Sequence, residues 1–414
     1  MLDQNGEFSF DIDSAFRADP YPVYRELRAH HPLVRGPLGA WAVSRYEDCD
    51  ALLRDRRMGK DLGDSNYFAQ VAGTAEGEPP PFLGVGVDGW DANLFQLLDP
   101  PEHTKLRSLV GKAFTPAIID ALKNSVAATV DELLDGLPER FDVMDLLGAP
   151  LPIRVLGDMM GIPREDHEVF TRWSTEIAHI LELGAEPSED VAIACQKAVT
   201  ECTDYFTDLL EKRGDQGEDD LLSQLARARD FGEGLTIRHI AAVCVLLVVP
   251  GLDTFANLVG NAAVLFARHP EVLPGLAAEP ETADAVLDEI LRLEPPTHAS
   301  WRVAIEPLEL HGHEIKKGDV VLLLLAAANR DERVFPDPEI FNPGAHSRKH
   351  LSFGRGIHYC VGDMLSRLMA KEAFNGLARR VTSLKLEDEE VAYKPGIWLR
   401  GPARLPVLAE RRAR

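Results

Sequence analysis

The sequence predicts a mainly α protein with a minor β part. Three observations carry that expectation. Apolar residues recur at helical spacing through most of residues 115–266, giving a long helical middle. Short β-branched and aromatic runs, such as Trp41-Ala42-Val43 and Val320 to Ala328, lie toward the two ends. Near the C-terminal end, glycines crowd a single cysteine between Phe353 and Gly362, directly ahead of a helix-forming stretch from Met364 to Arg380.

The elements follow in order. Pro20-Tyr21-Pro22 opens a helical pattern within Asp19 to His31, and the strand at Trp41–Val43 leads into a helix from Arg45 to Leu53. Residues 59–95 are rich in Gly, Pro, Asp and aromatics, a long irregular segment of the kind that is usually functional or mobile. The helical middle is interrupted near Leu183–Pro187 and at the acidic turn Gly214–Asp220, and a long apolar helix begins near Thr236. Short strands return after Trp301, Val320–Ala328 reading as a buried one. No repeat or linker divides the chain, so residues 1–414 are expected to form a single domain, with 1–15 as an N-terminal extension.

The 414 residues are 45% hydrophobic and 27% charged, and the formal charge of −23 disfavours general nucleic-acid binding. It leaves room for a local basic patch that docks an acidic protein. Met1 to Glu7 has neither the basic start nor the apolar run of a secretory signal. The most apolar run, Ile240 to Val249, is ten residues, short of a membrane span. Cys49, Cys195, Cys202, Cys244 and Cys360 are odd in number and lack paired spacing, which fits a reducing cytoplasm rather than a disulfide framework or a zinc site. Cys195 and Cys202, seven apart, read as buried thiols.

Four groupings carry chemistry. Gly354, Gly356 and Gly362 give the backbone around Cys360 freedom to turn N–H groups toward its sulfur, with Phe353 placed to shield it and a helix N-terminus just beyond. The plain alternative is a glycine-rich loop with one buried cysteine. Glu289 and Arg292, three apart, can pair on one helical face, as they can on any exposed helix. His103 and Arg107, four apart after Asp99-Pro100-Pro101-Glu102, share another face; basic residues so spaced are commonly just solvated. Asp253 and Thr254 put a carboxylate beside a hydroxyl inside the apolar helix, a pairing that can move protons in a dry site.

The pattern of Phe353, Gly356, Cys360 and Gly362 resembles the haem signature of the cytochrome P450 family, Phe-x-x-Gly-x-x-x-Cys-x-Gly. The further groupings occur in that family's order, so the resemblance spans about 16–408. It implies the single-domain P450 fold, with haem b between an oxygen-binding helix and the Cys loop and Cys360 as the thiolate ligand of the iron. Phe353, Gly354, Gly356 and Gly362 would surround that ligand, and His103, Arg107, Arg302 and His358 would bind the haem propionates. Glu289 and Arg292 would hold the fold behind the haem. Asp253 would relay protons and Thr254 would orient the water that delivers them. The substrate pocket would be lined by residues 67–95 and by Leu246, Val249, Pro250, Thr254, Thr297, His298, Ala299, Ser300, Ile397, Trp398 and Leu399. His298 would be a polar contact or a structural histidine, and Trp398 a pocket wall or core.

This sequence departs from the pattern in three places. Ala345 stands where many members carry an arginine that joins the Glu–Arg pair, leaving His346 or Arg348 as substitutes. Pro250 replaces a small residue; it alters the helix's shape or merely fills the cavity. Phe255 replaces a common Thr or Ser. The activity implied is a soluble bacterial-type monooxygenase that hydroxylates a largely apolar small molecule, in secondary metabolism or catabolism. Its electrons would come from a ferredoxin and ferredoxin reductase, docking where Lys105, Lys112, Arg348, Lys349 and Arg355 add positive charge. The chain would be a monomer. Peroxygenation, coupling or desaturation, and a non-enzymatic haem- or ligand-binding module, are the alternatives.

Overall fold

Apolar side chains on every face turn Ile237–Arg268 into a buried central helix of 32 residues, around which the other helices pack. The computed structural model describes residues 14–36, 39–61, 65, 95–178, 189–213, 222–223, 236–345, 349–394, 396 and 398–412. Helices His167–Ala178 and Glu189–Arg213 pack on one side of the central helix. Helices Pro150–Met160, Ala283–Leu293 and Asp363–Arg380 also contact it, the last through the edge-to-face pair Phe266 and Phe374, 5.1 Å apart.

The apolar stretch is longer than the ten-residue run suggested. Ile240–Arg268, 29 residues, is long and apolar enough to cross a membrane, yet 72% of its most apolar window is buried inside the protein. The uninterrupted apolar run ends at Pro250, although a mid-helix proline removes only one N–H and the helix is expected to continue to Asp253 and Thr254. Here the helix runs through it, and hydroxyls help the carbonyls around it. Ser174 Oγ donates to Val249 O at 2.8 Å, and Thr254 Oγ1 donates to Pro250 O at 2.6 Å.

A five-stranded sheet is assembled from both ends of the chain, in the order Leu33–Arg35, Trp41–Val43, Val320–Leu323, Ser300–Ala304, Met58–Gly59. All neighbours are antiparallel except Trp41–Val43 against Val320–Leu323. Apolar clusters cover both faces, one with Trp301, Val320 and Leu322, the other with Trp41, Val321 and Leu323. The expected strand over Val320–Ala328 stops at Leu323 and becomes a short helix, Leu325–Ala328. Both halves are fully apolar and buried, so periodicity could not separate them. The interruptions expected at 183–187 and 214–220 lie outside the described residues.

Glu289 and Arg292 form a buried bidentate pair, with Nε–Oε2 and Nη2–Oε1 both at 2.8 Å. Arg292 also donates to the carbonyls of Asn329, Pro338 and Ile340, and Glu289 accepts the Asn342 N–H at 2.9 Å. That amide is a further partner of the pair; His346 and Arg348, the substitutes expected from sequence, lie outside the described residues. Removing one member leaves an uncompensated buried charge, so R292M is expected to lower unfolding stability by about 3–5 kcal/mol. A denaturant titration of holoprotein measures it, and R292K should recover only part, because lysine cannot form the fork.

Candidate active site

Cys360 sits in a loop shaped by two left-handed glycines, Gly354 at φ 68° and Gly356 at φ 71°. A Cβ on Gly356 would lie 2.5 Å from the Leu53 carbonyl, so the loop touches helix Tyr46–Arg54 backbone to backbone. The Cys360 N–H donates to Phe353 O at 2.9 Å, closing the loop. Desolvation raises the thiol to about 11, opposed by the Gly362 and Asp363 N–H groups and by Arg107. Those amides begin helix Asp363–Arg380, so its positive end faces the sulfur as expected. Behind it, Asp363 accepts from Tyr359 OH and from Arg367 Nε, both at 2.7 Å, and Arg367 reaches buried Asp288 at 2.6 Å.

The sulfur lines a cavity of about 300 Å³. Apolar walls come from Leu156, Leu246, Leu247, Pro250, Phe255 and Leu258, with the Thr254 hydroxyl among them. Gly251, also in the wall, is kept small by Leu156, 3.0 Å from where a Cβ would be. Asp253 points away from the cavity lining, hydrogen-bonded by Asn257 Nδ2 at 3.3 Å and ion-paired with Lys394. Asp253 and Lys394 are 14% and 29% exposed, placing this carboxylate between the dry interior and the surface.

Another part of the wall gathers basic groups. Arg302 is 2% exposed, and its guanidinium donates to neutral oxygens, Trp301 O at 2.8 Å and Ser300 Oγ at 3.4 Å. Burial lowers it to about 10, with Asp99 opposing. Lys60, 3% exposed, is held well below the lysine range by burial and by repulsion from Arg302. His358 falls to about 2 through burial and then the charges of Arg302 and Lys60. Its Nε2 has no hydrogen bond among the described residues, and its ring lies 4.3 Å from that of His103. Arg107 spends Nη2 on the Tyr359 carbonyl at 2.6 Å, tying its helix, Glu102–Gly111, to the Cys loop.

Comparison with known proteins agrees with this arrangement. The cytochrome P450 family model matches residues 88–391. The chain belongs to the cytochrome P450 family. It is 36% identical over 405 residues to cytochrome P450 monooxygenase PikC of Streptomyces venezuelae, covering 95% of this chain and 91% of that protein. It is 34% identical over 409 residues to 6-deoxyerythronolide B hydroxylase of Saccharopolyspora erythraea, covering 96% and 98%. The structure of P450 RauA complexed with a biosynthetic intermediate of aurachin RE superposes with a TM-score of 0.87 at 37% identity, covering 97% and 99%. The protein is therefore a P450 monooxygenase with a haem-thiolate iron, acting on a small molecule with a redox partner.

The residues present fit haem. Among the described residues Arg302 and Lys60 are buried and form no ion pair, with Asp99 acting on them only at a distance. They suit the two haem carboxylates and lie on the same cavity as one soft sulfur. Cys49, Cys195, Cys202 and Cys244 are buried elsewhere.

Among the pocket residues read from sequence, Leu246, Pro250, Thr254, Thr297 and Ser300 line the cavity. Val249, His298, Ala299, Trp398 and Leu399 do not. Val249 is buried, its carbonyl taken by Ser174. His298 is a structural histidine, with Nδ1 3.3 Å from Tyr24 OH, its N–H donating to Trp398 O and its carbonyl accepting from Ala326. Trp398 is core, packed edge-on to Trp301 at 5.6 Å, and Ala299 and Leu399 belong to the same cluster. Ile397 and residues 67–94 lie outside the described residues. The sequence reading missed Lys60 and Lys394, whose places depend on strand pairing and on a distant C-terminal turn. No local signal marked either.

Replacing the sulfur tests the site directly. C360S is expected to lose the red-shifted Soret band of the reduced, carbon monoxide-bound protein. C244S, altering a thiol away from the cavity, should keep it.

Proposed function

We propose that residues 1–414 act as one domain in which Cys360 ligates the haem iron and Asp253 and Thr254 manage protons for a monooxygenase reaction. The observation that carries this reading is that one cavity joins an amide-backed sulfur to a threonine hydroxyl whose neighbouring carboxylate turns toward the surface. Bound haem supplies dioxygen activation, which thiolate donation favours. The chain's own residues do the rest. His103, Arg107, Arg302 and His358 anchor the haem carboxylates. Leu246, Leu247, Pro250, Phe255 and Leu258 keep water out, so protons must enter by a defined route. Asp253, poised by Lys394 and Asn257, passes them from the surface side toward Thr254, which orients the last water.

The apolar lining supports a largely apolar substrate that is oriented mainly by shape. A role in secondary metabolism or catabolism is supported by relatives such as P450 RauA, whose complex holds a biosynthetic intermediate. A ferredoxin with its reductase is the proposed electron source, docking on the Cys360 side. Exposed Lys105, Lys112 and Lys349 and the 54%-exposed Ile357 support that face. Arg355 contributes less, being turned onto Asp50 and the carbonyls of Lys349 and His350. A monomer in the cytoplasm is the setting proposed; the free thiols are compatible with it.

The test supplies NADPH with a surrogate ferredoxin and reductase, or peroxide alone, to protein loaded with compounds chosen for a haem spin-state shift. Oxygenated product in the first arm is expected. Product only with peroxide would replace this mechanism with peroxygenation. Haem binding without a spin shift or product from any compound would leave a binding module. In the same assay T254A should retain haem and release more peroxide per electron consumed. D253N should slow product formation by about 10²-fold or more, with the Soret spectrum unchanged.

A further inference from the structure

Lys60 follows strand Met58–Gly59, which pairs with Ser300–Ala304 through Gly59 opposite Val303. That pairing brings its side chain beside Ser300, Trp301 and Arg302. The Asp99 carboxylate accepts the backbone N–H groups of Lys60 and Asp61, at 2.9–3.0 Å, so it clamps this corner through the main chain. The Lys60 ammonium itself reaches Ser300 Oγ at 3.5 Å and lies 3.6 Å above the centre of the Trp301 indole. Among the described residues Nζ forms no ion pair, Asp99 acting on it only from a distance, although the residue is only 3% exposed and lines the same cavity as Cys360.

A lysine this deep keeps its proton only against a counter-charge, since an unpaired buried ammonium is strongly disfavoured. The indole face recovers part of that cost. Among the described residues nothing else takes up the remaining donor capacity, and the cavity is open to it. Charge balance points the same way. Arg107, Arg302 and Lys60 against Asp99 leave two positive charges, with His103 and His358 neutral, and haem brings two carboxylates. Without Lys60 that corner would hold excess negative charge in a dry site.

We propose that Lys60 is a third cationic ligand of the haem carboxylates, holding one of them from the Met58–Gly59 edge. This rests on the placement of those carboxylates at Arg107 and Arg302. A carboxylate on a substrate would satisfy the same chemistry, so the experiment uses substrate-free ferric holoprotein. Haem transfer to excess apomyoglobin and the propionate-bending band in the resonance Raman spectrum are measured for wild type, K60R, K60M and R302M. K60M is expected to lose haem about tenfold to a hundredfold faster, the loss of one charged hydrogen bond. Its propionate band should move, with K60R returning both readings toward wild type. If R302M changes both readings while K60M matches wild type, Lys60 merely packs on Trp301 and the proposal is overturned. If neither variant differs from wild type, the carboxylate placement is wrong and the proposal falls with it. Should K60M fail to fold, K60Q replaces it: a moved band in K60Q but not K60R supports the role, and an unmoved band in both overturns it.

Discussion

The fork between Glu289 and Arg292 is the contact on which the Cys360 side of the protein depends. Its leftover hydrogen-bonding capacity gathers the backbone of Asn329, Pro338, Ile340 and Asn342 onto helix Ala283–Leu293. Asn329 then passes the constraint on, accepting the Leu351 N–H at 2.7 Å and donating to Ser352 Oγ at 2.9 Å. Phe353 and the Cys loop come next in the chain. A buried ion pair adds little net stability over apolar packing of equal volume. Its contribution here is positional: helix Ala283–Leu293, the 329–342 segment and the Cys360 loop are fixed to one rigid pair of side chains.

The loop's other constraint is steric. Gly356 lies so close to the Leu53 carbonyl that no larger residue fits. The sulfur is therefore located from two directions, through hydrogen bonds on the Glu289 side and through backbone contact with helix Tyr46–Arg54. Across the cavity edge the logic is electrostatic. Arg302 and Lys60 are desolvated and repel one another, and together they keep His358 neutral. With the haem carboxylates placed there as proposed, a dianionic cofactor would offset that repulsion and so link haem occupancy to the stability of the fold.

Much of this was legible in the sequence because it is local. The Cys loop depends on glycines within ten residues, and the Glu289–Arg292 and Asp253–Thr254 groupings lie within one helical turn. The family resemblance extended those islands to the fold class. Where residues lie far apart in the chain, sequence reasoning lost its grip. His298 and Trp398 were placed near a pocket by sequence order, yet each is consumed by core contacts that only tertiary packing reveals. A third partner for the Glu–Arg pair was sought among side chains, whereas a main-chain amide, Asn342 N–H, bonds to Glu289. Lys60 reads as one more surface lysine until strand pairing puts it over Trp301.

The Thr254 hydroxyl carries one hydrogen, and that hydrogen is committed to the Pro250 carbonyl at 2.6 Å. Toward the cavity the residue therefore presents lone pairs. A water resting there must turn a hydrogen toward Thr254 and its own oxygen elsewhere, so the wall has a direction as well as a polarity. Serine could reproduce that direction and valine could not, although valine would fill nearly the same space. The backbone carbonyl one turn back thus sets the sense in which a hydrogen-bonded chain can run through an otherwise featureless apolar wall.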